Sequence, residues 1–473
     1  AHRSANAEHE QANIAEPSAL TVFAKENKRF MLFLLGTAAL FFTHGMIGNF
    51  MIEFIRNIGG GSEDMGNVLA FMTVAEVPVM LLFGRLTKRF KCSSLLRFAV
   101  IMFSIKELDG LYGSYIEPVV RKIGEIQCIG FLASFADDKY LPDGSGVFES
   151  IANLCGEILL APCTKGGLLL PEYVDSEKEK LLDSIKSRLN DKRSWALQRL
   201  IEQMCCYEPF AVSRLGTEDT AENIYYQKLT KHYRSLIMTC PIEIFYCGSL
   251  GADAVAEKLS DAFSGMPRGE IDYDIGTDIR MNAVEESVRE FTDELSVTQG
   301  KLVMGYRLGD CMEDPDIAAL YVFNAVFGGC VTSKLFMNVR EKLSLCYYAS
   351  SLVDLHKGLM IVSSGVDFDK FGAAKDEICA QLEAIKRGEV TDDELLAAKK
   401  SVASDLRATL DSQYNLEGFY LANTIDGLDF DPEELAEAVE CVELQAVVDI
   451  ANSVVSDAVY YLRGNGEEDS DEA

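Results

Sequence analysis

The chain has 473 residues, more than one ordinary domain holds, so two to four domains are expected. Hydrophobic residues make up 48% and charged residues 25%, which marks a globular chain and excludes disorder along most of its length. Lys+Arg total 44 against 74 Asp+Glu, a formal charge of −30 that repels phosphates and argues against nucleic acid as a partner. The 13 cysteines form no C-x-x-C pair. They read as reduced residues of a cytosolic chain rather than a disulfide scaffold or zinc ribbon. The five histidines, at positions 2, 9, 44, 232 and 356, form neither H-E-x-x-H nor H-x-x-E-H, so zinc-hydrolase chemistry of that kind is excluded in cis.

Charge divides the chain. Residues 1–106 hold 11 Lys+Arg and 8 Asp+Glu, so −33 falls on the remainder. Residues 1–28 are a polar segment. Residues 30–52 (FMLFLLGTAALFFTHGMIGNFMI) carry no Asp, Glu, Lys or Arg and are long enough to span a bilayer core. Residues 65–84 form a second apolar run with one charge, Glu76; residues 94–105 contain Arg97 and are too short to span. Lys25, Lys28 and Arg29 precede the first run, and Arg85, Lys88, Arg89 and Lys91 follow the second. The positive-inside rule then predicts a hairpin with both ends cytoplasmic. The long polar lead argues against a signal peptide. A buried core helix is the soluble alternative for the first run.

From Glu107 the pattern is that of a soluble α+β chain. Strands are predicted at 116–122 and 125–136 around a turn, then helices at 147–160, 171–189, 194–206 and 225–237. Residues 241–248 (PIEIFYCG) read as a strand, followed by a helix at 252–263. The order then returns. Strands are expected at 284–291 and 300–308, helices at 315–327 and 333–343, a strand pair at 345–353 and 358–366, and helices at 369–386 and 392–410. Residues 456–464 (SDAVYYLRG) close this unit as 241–248 close the first, 215 residues earlier. The second copy places two strands and two helices before its hairpin. The first copy has only the end of a helix there, at 106–112, so two unrelated pieces join near 105–108. A sheet lacking its first two strands exposes an edge and part of its core.

Two resemblances rest on these residues. The runs FFTHGMIGNFMIEFIRNIGGGSEDMG and AEVPVMLLFGRLTKRFKCSSLLR resemble the start of the second half of a major facilitator transporter, in the oligosaccharide or nucleoside–proton symporter branch. About 75 residues match, too few to enclose a transport path. Glu76 and His44 are intramembrane ionisable candidates that have lost the bundle able to use them. The segment FGGCVTSKLFMNVREKLSLCYYASS resembles the C-terminal-domain signature of the M16 (insulinase, pitrilysin and mitochondrial processing peptidase) metallopeptidases. Its residues are Ser333, Leu335, Phe336, Arg340, Glu341, Lys342 and Tyr347. That likeness covers 107–464 and implies paired α+β domains, each a curved sheet backed by helices, around a substrate chamber. The expected domains are a membrane-helix fragment at 29–106, a truncated first M16-like domain at 107–270, a second at 271–464, and an acidic tail at 465–473. The segments EPVVRKIGEIQCIGFLASFADD and LPEYVDSEKEKLLDSIKSRLNDKR are similar to a bacterial non-peptidase branch associated with modification of elongation factor P.

The resemblance also assigns roles. In active members H-x-x-E-H lies on a helix that is absent here, and the third zinc ligand is a Glu seven residues after another Glu. Glu177 matches the earlier Glu, and Ser184 falls at the ligand position, where a hydroxyl is not a usual zinc ligand. A shift of a few residues would bring Glu179 into play instead. No bound metal or other cofactor is therefore expected. Arg340 and Tyr347 match the pair that reaches the chamber and steadies the substrate backbone or its oxyanion. The alternatives are a solvated helix arginine and a tyrosine packed on the sheet. The expectation is a non-catalytic M16-type subunit that binds peptide or protein and complements a zinc-bearing relative as a heterodimer. It would be anchored to membrane lipid through residues 29–84, with its M16-like domains cytoplasmic. A transporter fragment carrying a fused domain is the competing class, and an active zinc peptidase is disfavoured.

Other features read as structural. Cys205 and Cys206 are adjacent on a helix and so face different ways. Gly59–Gly61 lack the Lys-Ser/Thr of a phosphate loop. His232 and His356 have no ligand-spaced partner. The tail GEEDSDEA is an acidic solvated end.

Overall fold

The computed structural model describes residues 114–141, 146–273, 275–313 and 315–465. The chain divides into two units, Ala1–Lys106 and Glu107–Ala473, and every described residue lies in the second. The expected hairpin at 29–106, Glu76, His44, the Gly59–Gly61 loop, the 105–108 junction and residues 466–473 of the tail lie outside the described residues. Among the described residues no helix is long and apolar enough to cross a membrane.

The second repeat is built on a five-stranded sheet. Its strands are β5 (Arg289–Leu295), β6 (Gly300–Arg307), β7 (Cys346–Asp354), β8 (Leu359–Val366) and β9 (Val455–Gly464), in the order β5-β9-β6-β8-β7. β5 runs parallel to β9, and the other pairs are antiparallel. β8 is buried at every position and β6 at all but one, so both read as near-continuous apolar runs. Side-chain alternation sends the two faces to different cores. Leu302, Met304, Tyr306, Met360, Val362, Val459 and Tyr461 pack against helices of the second repeat. Val303, Leu359, Ile361, Ala458, Tyr460 and Leu462 pack against Ala196, Leu200 and Met204 of a first-repeat helix. Gly305 permits that approach, because a Cβ there would lie 2.4 Å from Met204 Sδ. Burying Leu200 and Met204 contributes about 1.5–3 kcal/mol each.

The first repeat starts with a two-stranded hairpin, β1 (Tyr115–Ile123) and β2 (Ile126–Ser134). Helices follow at Val147–Leu160 (α1), Pro171–Ser187 (α2) and Lys192–Met204 (α3), and then at Glu218–Glu222 (α4), Tyr226–Thr239 (α5) and Ala252–Ala262 (α6). Pro171 sits in the first turn of α2, where its missing N–H is harmless. Asp191 caps α3 by accepting from the N–H groups of Arg193 and Ser194. A short pair not expected from sequence, β3 (Thr164–Lys165) with β4 (Leu168–Leu169), lies between α1 and α2.

Three expectations are corrected. Residues 241–248 join no ladder, although they are a short apolar run like β9. β9 is held between β5 and β6, and the first repeat has no counterpart of either among the described residues. The strand expected at 284–291 instead runs Arg289–Leu295, where pairing with β9 fixes it. The helices expected at 315–327 and 333–343 are Ile317–Asn324 followed by π-helical stretches at Ala325–Gly329 and Leu335–Lys342. Three further helices, Gln413–Asp426, Pro432–Cys441 and Leu444–Ser453, complete the second repeat.

A buried ion cluster joins the two repeats. Arg307, at the end of β6, and Lys357, in the β7–β8 turn, are 0% exposed. Arg307 donates to both Glu208 oxygens, at 2.7 and 3.1 Å, and through Nε to Asp457 at 2.9 Å. Arg289 donates to the other Asp457 oxygen at 2.5 Å. Lys357 bridges Glu208 and Glu125, each at 2.7 Å. Three cations thus meet three carboxylates. Glu125 comes from the β1–β2 turn and Glu208 from the segment after α3, so the cluster fixes both first-repeat elements to the sheet. Burial pushes the Glu208 carboxyl up, but Arg307 and Lys357 outweigh it and hold it below the ordinary glutamate range. A second tie, Arg121 to Glu417 at 2.5 Å, links β1 to the Gln413–Asp426 helix.

Candidate functional site

The FGGCVTS segment positions the site. Gly328 lies so close to β7 that a Cβ there would be 2.6 Å from the Ser351 nitrogen. The chain then enters the π-helical stretch Leu335–Lys342, which buries Leu335 and Val339 and leaves Arg340 half-exposed. Such stretches are frequent at functional sites. The chain leaves through Ser344, the one non-glycine with positive φ (49°) among the described residues. It enters β7 with an irregularity: Cys346 pairs with Val366 and Tyr348 with Gly365, so Tyr347 is the extra residue of a bulge.

Arg340 and Tyr347 are both open to solvent, but they have different partners. The Arg340 guanidinium lies 4.6 Å from the Phe336 ring centroid and 3.6 Å from the Glu341 carboxylate. Tyr347, 59% exposed, donates its hydroxyl to Asp367 Oδ1 at 2.9 Å. That bond raises the phenol above its ordinary value. Asp367 also pairs with Lys370 at 2.9 Å, which with Tyr347 holds its carboxyl below the usual range. Lys370 reaches the Ser344 carbonyl at 3.4 Å. The site therefore includes Asp367 and Lys370, which the sequence did not single out. Chemically it offers a half-exposed guanidinium fork and a phenol, both suited to polarised carbonyls, with the phenol oriented by a carboxylate.

The residues placed at the zinc-ligand region lie on α2 and face solvent. Ser184 donates to the Lys180 carbonyl at 2.8 Å, Glu177 pairs with Lys180 at 2.5 Å, and Glu179 is exposed. Among the described residues no group of three His, Cys, Asp or Glu is placed to hold a metal ion. Cys205 is buried, with its sulfur 3.8 Å from Arg307 Nη2, while Cys206 is exposed. Burial pushes the Cys205 thiol up to about 12, so it is an inert packed thiol. His232 is exposed.

His356 is half-buried in the β7–β8 turn, with Nδ1 2.7 Å from Asp426 Oδ2. Burial alone would lower its pKa, but Asp426 and then Asp354 reverse this and raise it above the ordinary imidazole value. A raised folded pKa contributes stability that is fully present below the unfolded value, about 6.5, and is lost as pH rises through the folded one. Burial raises Asp354 too, with the same sign. The melting temperature of the chain is therefore expected to fall from pH 6 to pH 8, and His356→Gln should flatten part of that slope. Calorimetry of both proteins at the two pH values checks this, and identical slopes would remove His356 from the account.

An α+β chain with an arginine and a tyrosine open to solvent on either side of Ser344 has known relatives. A family model described as "Peptidase M16 inactive domain" matches residues 223–402. A second, described as "MFS_1 like family", matches residues 2–121. The chain is 31% identical over 359 residues to "Probable inactive metalloprotease YmfF" of Bacillus subtilis, covering 76% of this chain and 83% of that protein. It is 26% identical over 204 residues to "Uncharacterized zinc protease YmxG" of the same organism, covering 42% and 47%. A solved conserved protein from Enterococcus faecalis superposes with a TM-score of 0.69 at 27% identity, over 78% of this chain and 86% of that one. A peptidase M16 inactive domain from Pseudomonas fluorescens shares the fold, with a TM-score of 0.60 at 16% identity over 77% and 84%. The chain belongs to the M16 peptidase family. The α+β class and the reading as an inactive metallopeptidase homologue agree with these likenesses.

Proposed function

We propose that this chain is a non-catalytic M16-type subunit that binds peptide or protein and lends a chamber wall to a zinc-bearing relative. The observation that carries this reading is the asymmetry of the site. Arg340 and Tyr347 are present and open to solvent, while Ser184 stands exposed where a zinc-ligand carboxylate is expected. The likeness to a relative printed as an inactive metalloprotease, and the match to an inactive-domain model, support it. In the complex the Arg340 fork and the Tyr347 phenol would face the partner's metal and steady charge on the scissile carbonyl. The test is co-purification of the full chain with an H-x-x-E-H-bearing M16 relative. A stable one-to-one complex supports the reading, and two proteins that elute apart at micromolar concentration oppose it.

The match of residues 2–121 to the MFS_1 like family supports membrane association as a further part of this proposal. The apolar runs 30–52 and 65–84 would form the hairpin, with both ends and the M16-like domains cytoplasmic. Labelling in cells is expected to reach Gly59–Ser62 from outside the cytoplasm and residues 85–91 from within. The reverse pattern would invert the topology. The alternative, a transporter fragment with a fused domain, is not favoured, because the inactive-metalloprotease relative spans 76% of this chain.

A further inference from the structure

Tyr348 of β7, Gly365 of β8 and Lys301 of β6 stand opposite one another in a row across the second-repeat sheet. Opposed residues of antiparallel strands carry their side chains on one face. The next row on that face is Ser350, Ser363 and Val303, and Val303 packs with Ala196 and Leu200 of α3. The start of α3 therefore lies over these rows. Gly365 has no side chain, and the Tyr348 ring fills the space: a Cβ at Gly365 would be 2.5 Å from Tyr348 Cε1. Arg193, in the first turn of α3, and Lys301 both reach that ring, at 4.4 and 5.8 Å from its centroid.

Two positive groups thus share one aromatic ring without local balance. Among the described residues neither forms an ion pair. Asp191 is the carboxylate that Lys301 feels, but its oxygens already accept from the N–H groups of Arg193 and Ser194 and from the Ser194 hydroxyl. Burial lowers the Lys301 pKa, and the Arg193 charge lowers it further. Most donors are unspent: Arg193 gives one bond to Ser350 at 3.2 Å, and Lys301 gives one to Gln299. The hydroxyls of Tyr348 and Ser363 are neighbours, both buried, and neither completes a hydrogen bond among the described residues. Ser363 is only 8% exposed. Buried hydroxyls without a partner are costly, so a ligand that accepts from them is favoured.

We propose that this corner is a carboxylate subsite, which takes one carboxylate of a bound peptide, its free C-terminus or an Asp or Glu side chain, between Arg193 and Lys301. The guanidinium offers the parallel N–H pair that a planar carboxylate accepts, and Lys301 adds a further donor. Arg193 is exposed and held by one hydrogen bond, so its side chain can lift to bring the carboxylate to the Tyr348 and Ser363 hydroxyls. A single negative charge balances the two cations against Asp191, whereas a dianionic phosphate would overshoot on a chain that carries −30. Tyr348 follows Tyr347 in β7, so the subsite starts beside the candidate site. The inference rests on the peptide-binding reading and adds to it a preference that uses neither Arg340 nor Tyr347.

Peptide binding to the full chain, without a partner, tests the subsite. The probes share one short neutral sequence labelled with tetramethylrhodamine: a free C-terminal acid, an amide, and an amide with one internal Glu. Fluorescence anisotropy at low salt reads the affinities. The acid peptide, the Glu peptide or both are expected to bind about 10- to 100-fold more tightly than the neutral amide, and which of them does so identifies the carboxylate. Arg193→Gln and Lys301→Met should each erase the preference while the neutral amide binds as before, and Lys301→Arg should keep it. Equal affinity of all three peptides would overturn the subsite and leave the peptide-binding reading standing. No binding of any peptide at millimolar concentration would remove both. A preference that survives Arg193→Gln and Lys301→Met would place the carboxylate elsewhere and refute the proposal, as would stronger competition by inorganic phosphate than by acetate.

Discussion

Replacing Arg307 by methionine is expected to destabilise the M16-like unit by about 3–5 kcal/mol, the cost typical of breaking a buried ion pair by removing one partner. Arg307 is 0% exposed and serves Glu208 and Asp457 together. Its loss leaves three carboxylates facing two cations in a largely buried region. The double variant Arg307→Met with Glu208→Leu should recover a good part of this loss. It leaves Arg289 with Asp457 and Lys357 with Glu125, two matched pairs. Urea unfolding followed through Trp195 suits the measurement. Trp195 is the only tryptophan in the chain, and it packs against the interface core that α3 forms with the sheet. A double variant no more stable than the single one would show that charge balance does not govern the docking of the two repeats.

The second large effect is catalytic, and it is read in the partner. In a complex with a zinc-bearing M16 relative, Arg340→Ala or Tyr347→Phe should lower the partner's turnover by about 10²–10³ with the complex intact, the range for loss of one oxyanion donor. Asp367→Asn gives a graded control. It removes the carboxylate that orients the Tyr347 hydroxyl but keeps the phenol, so a smaller loss is expected. Native mass spectrometry confirms assembly, and steady-state kinetics separate kcat from KM. Unchanged turnover in both variants, with the complex present, would reduce Arg340 and Tyr347 to ordinary surface residues.

Much of the second repeat is legible in its sequence, because its strands and helices bury regular apolar patterns. β6 and β8 stand out by their short apolar runs, Leu302–Met304 and Leu359–Val362, and Thr391 with Glu394 announces the Asp392–Thr409 helix through a capping box. Residues 241–248 mislead for a physical reason. A strand needs ladder partners as well as an apolar alternation, and the partners are encoded elsewhere or not at all. The Gln413–Asp426 helix is hard to see because it buries only Asn423 and so has no apolar stripe. Pro432–Cys441 is different, since Asp431, Pro432 and Glu434 give a capping signal that a search for caps would find. Within the site, Arg340 and Tyr347 are visible through their spacing after Ser333 and Leu335. Asp367 and Lys370 are not, because they meet Tyr347 only through hairpin register and a bulge. The ion cluster is equally hidden: Arg307, Asp457, Glu208 and Lys357 are far apart in sequence and meet only once α3 docks on the sheet.

The central proposal is that this M16 chain holds no zinc of its own and acts through a partner. The most direct test is metal analysis of the purified full chain, together with a peptide-cleavage assay with and without chelator. The expected result is no stoichiometric zinc, no cleavage by the chain alone, and no change on adding chelator. One tightly bound equivalent of zinc, with peptide cleavage abolished by the chelator, would contradict it.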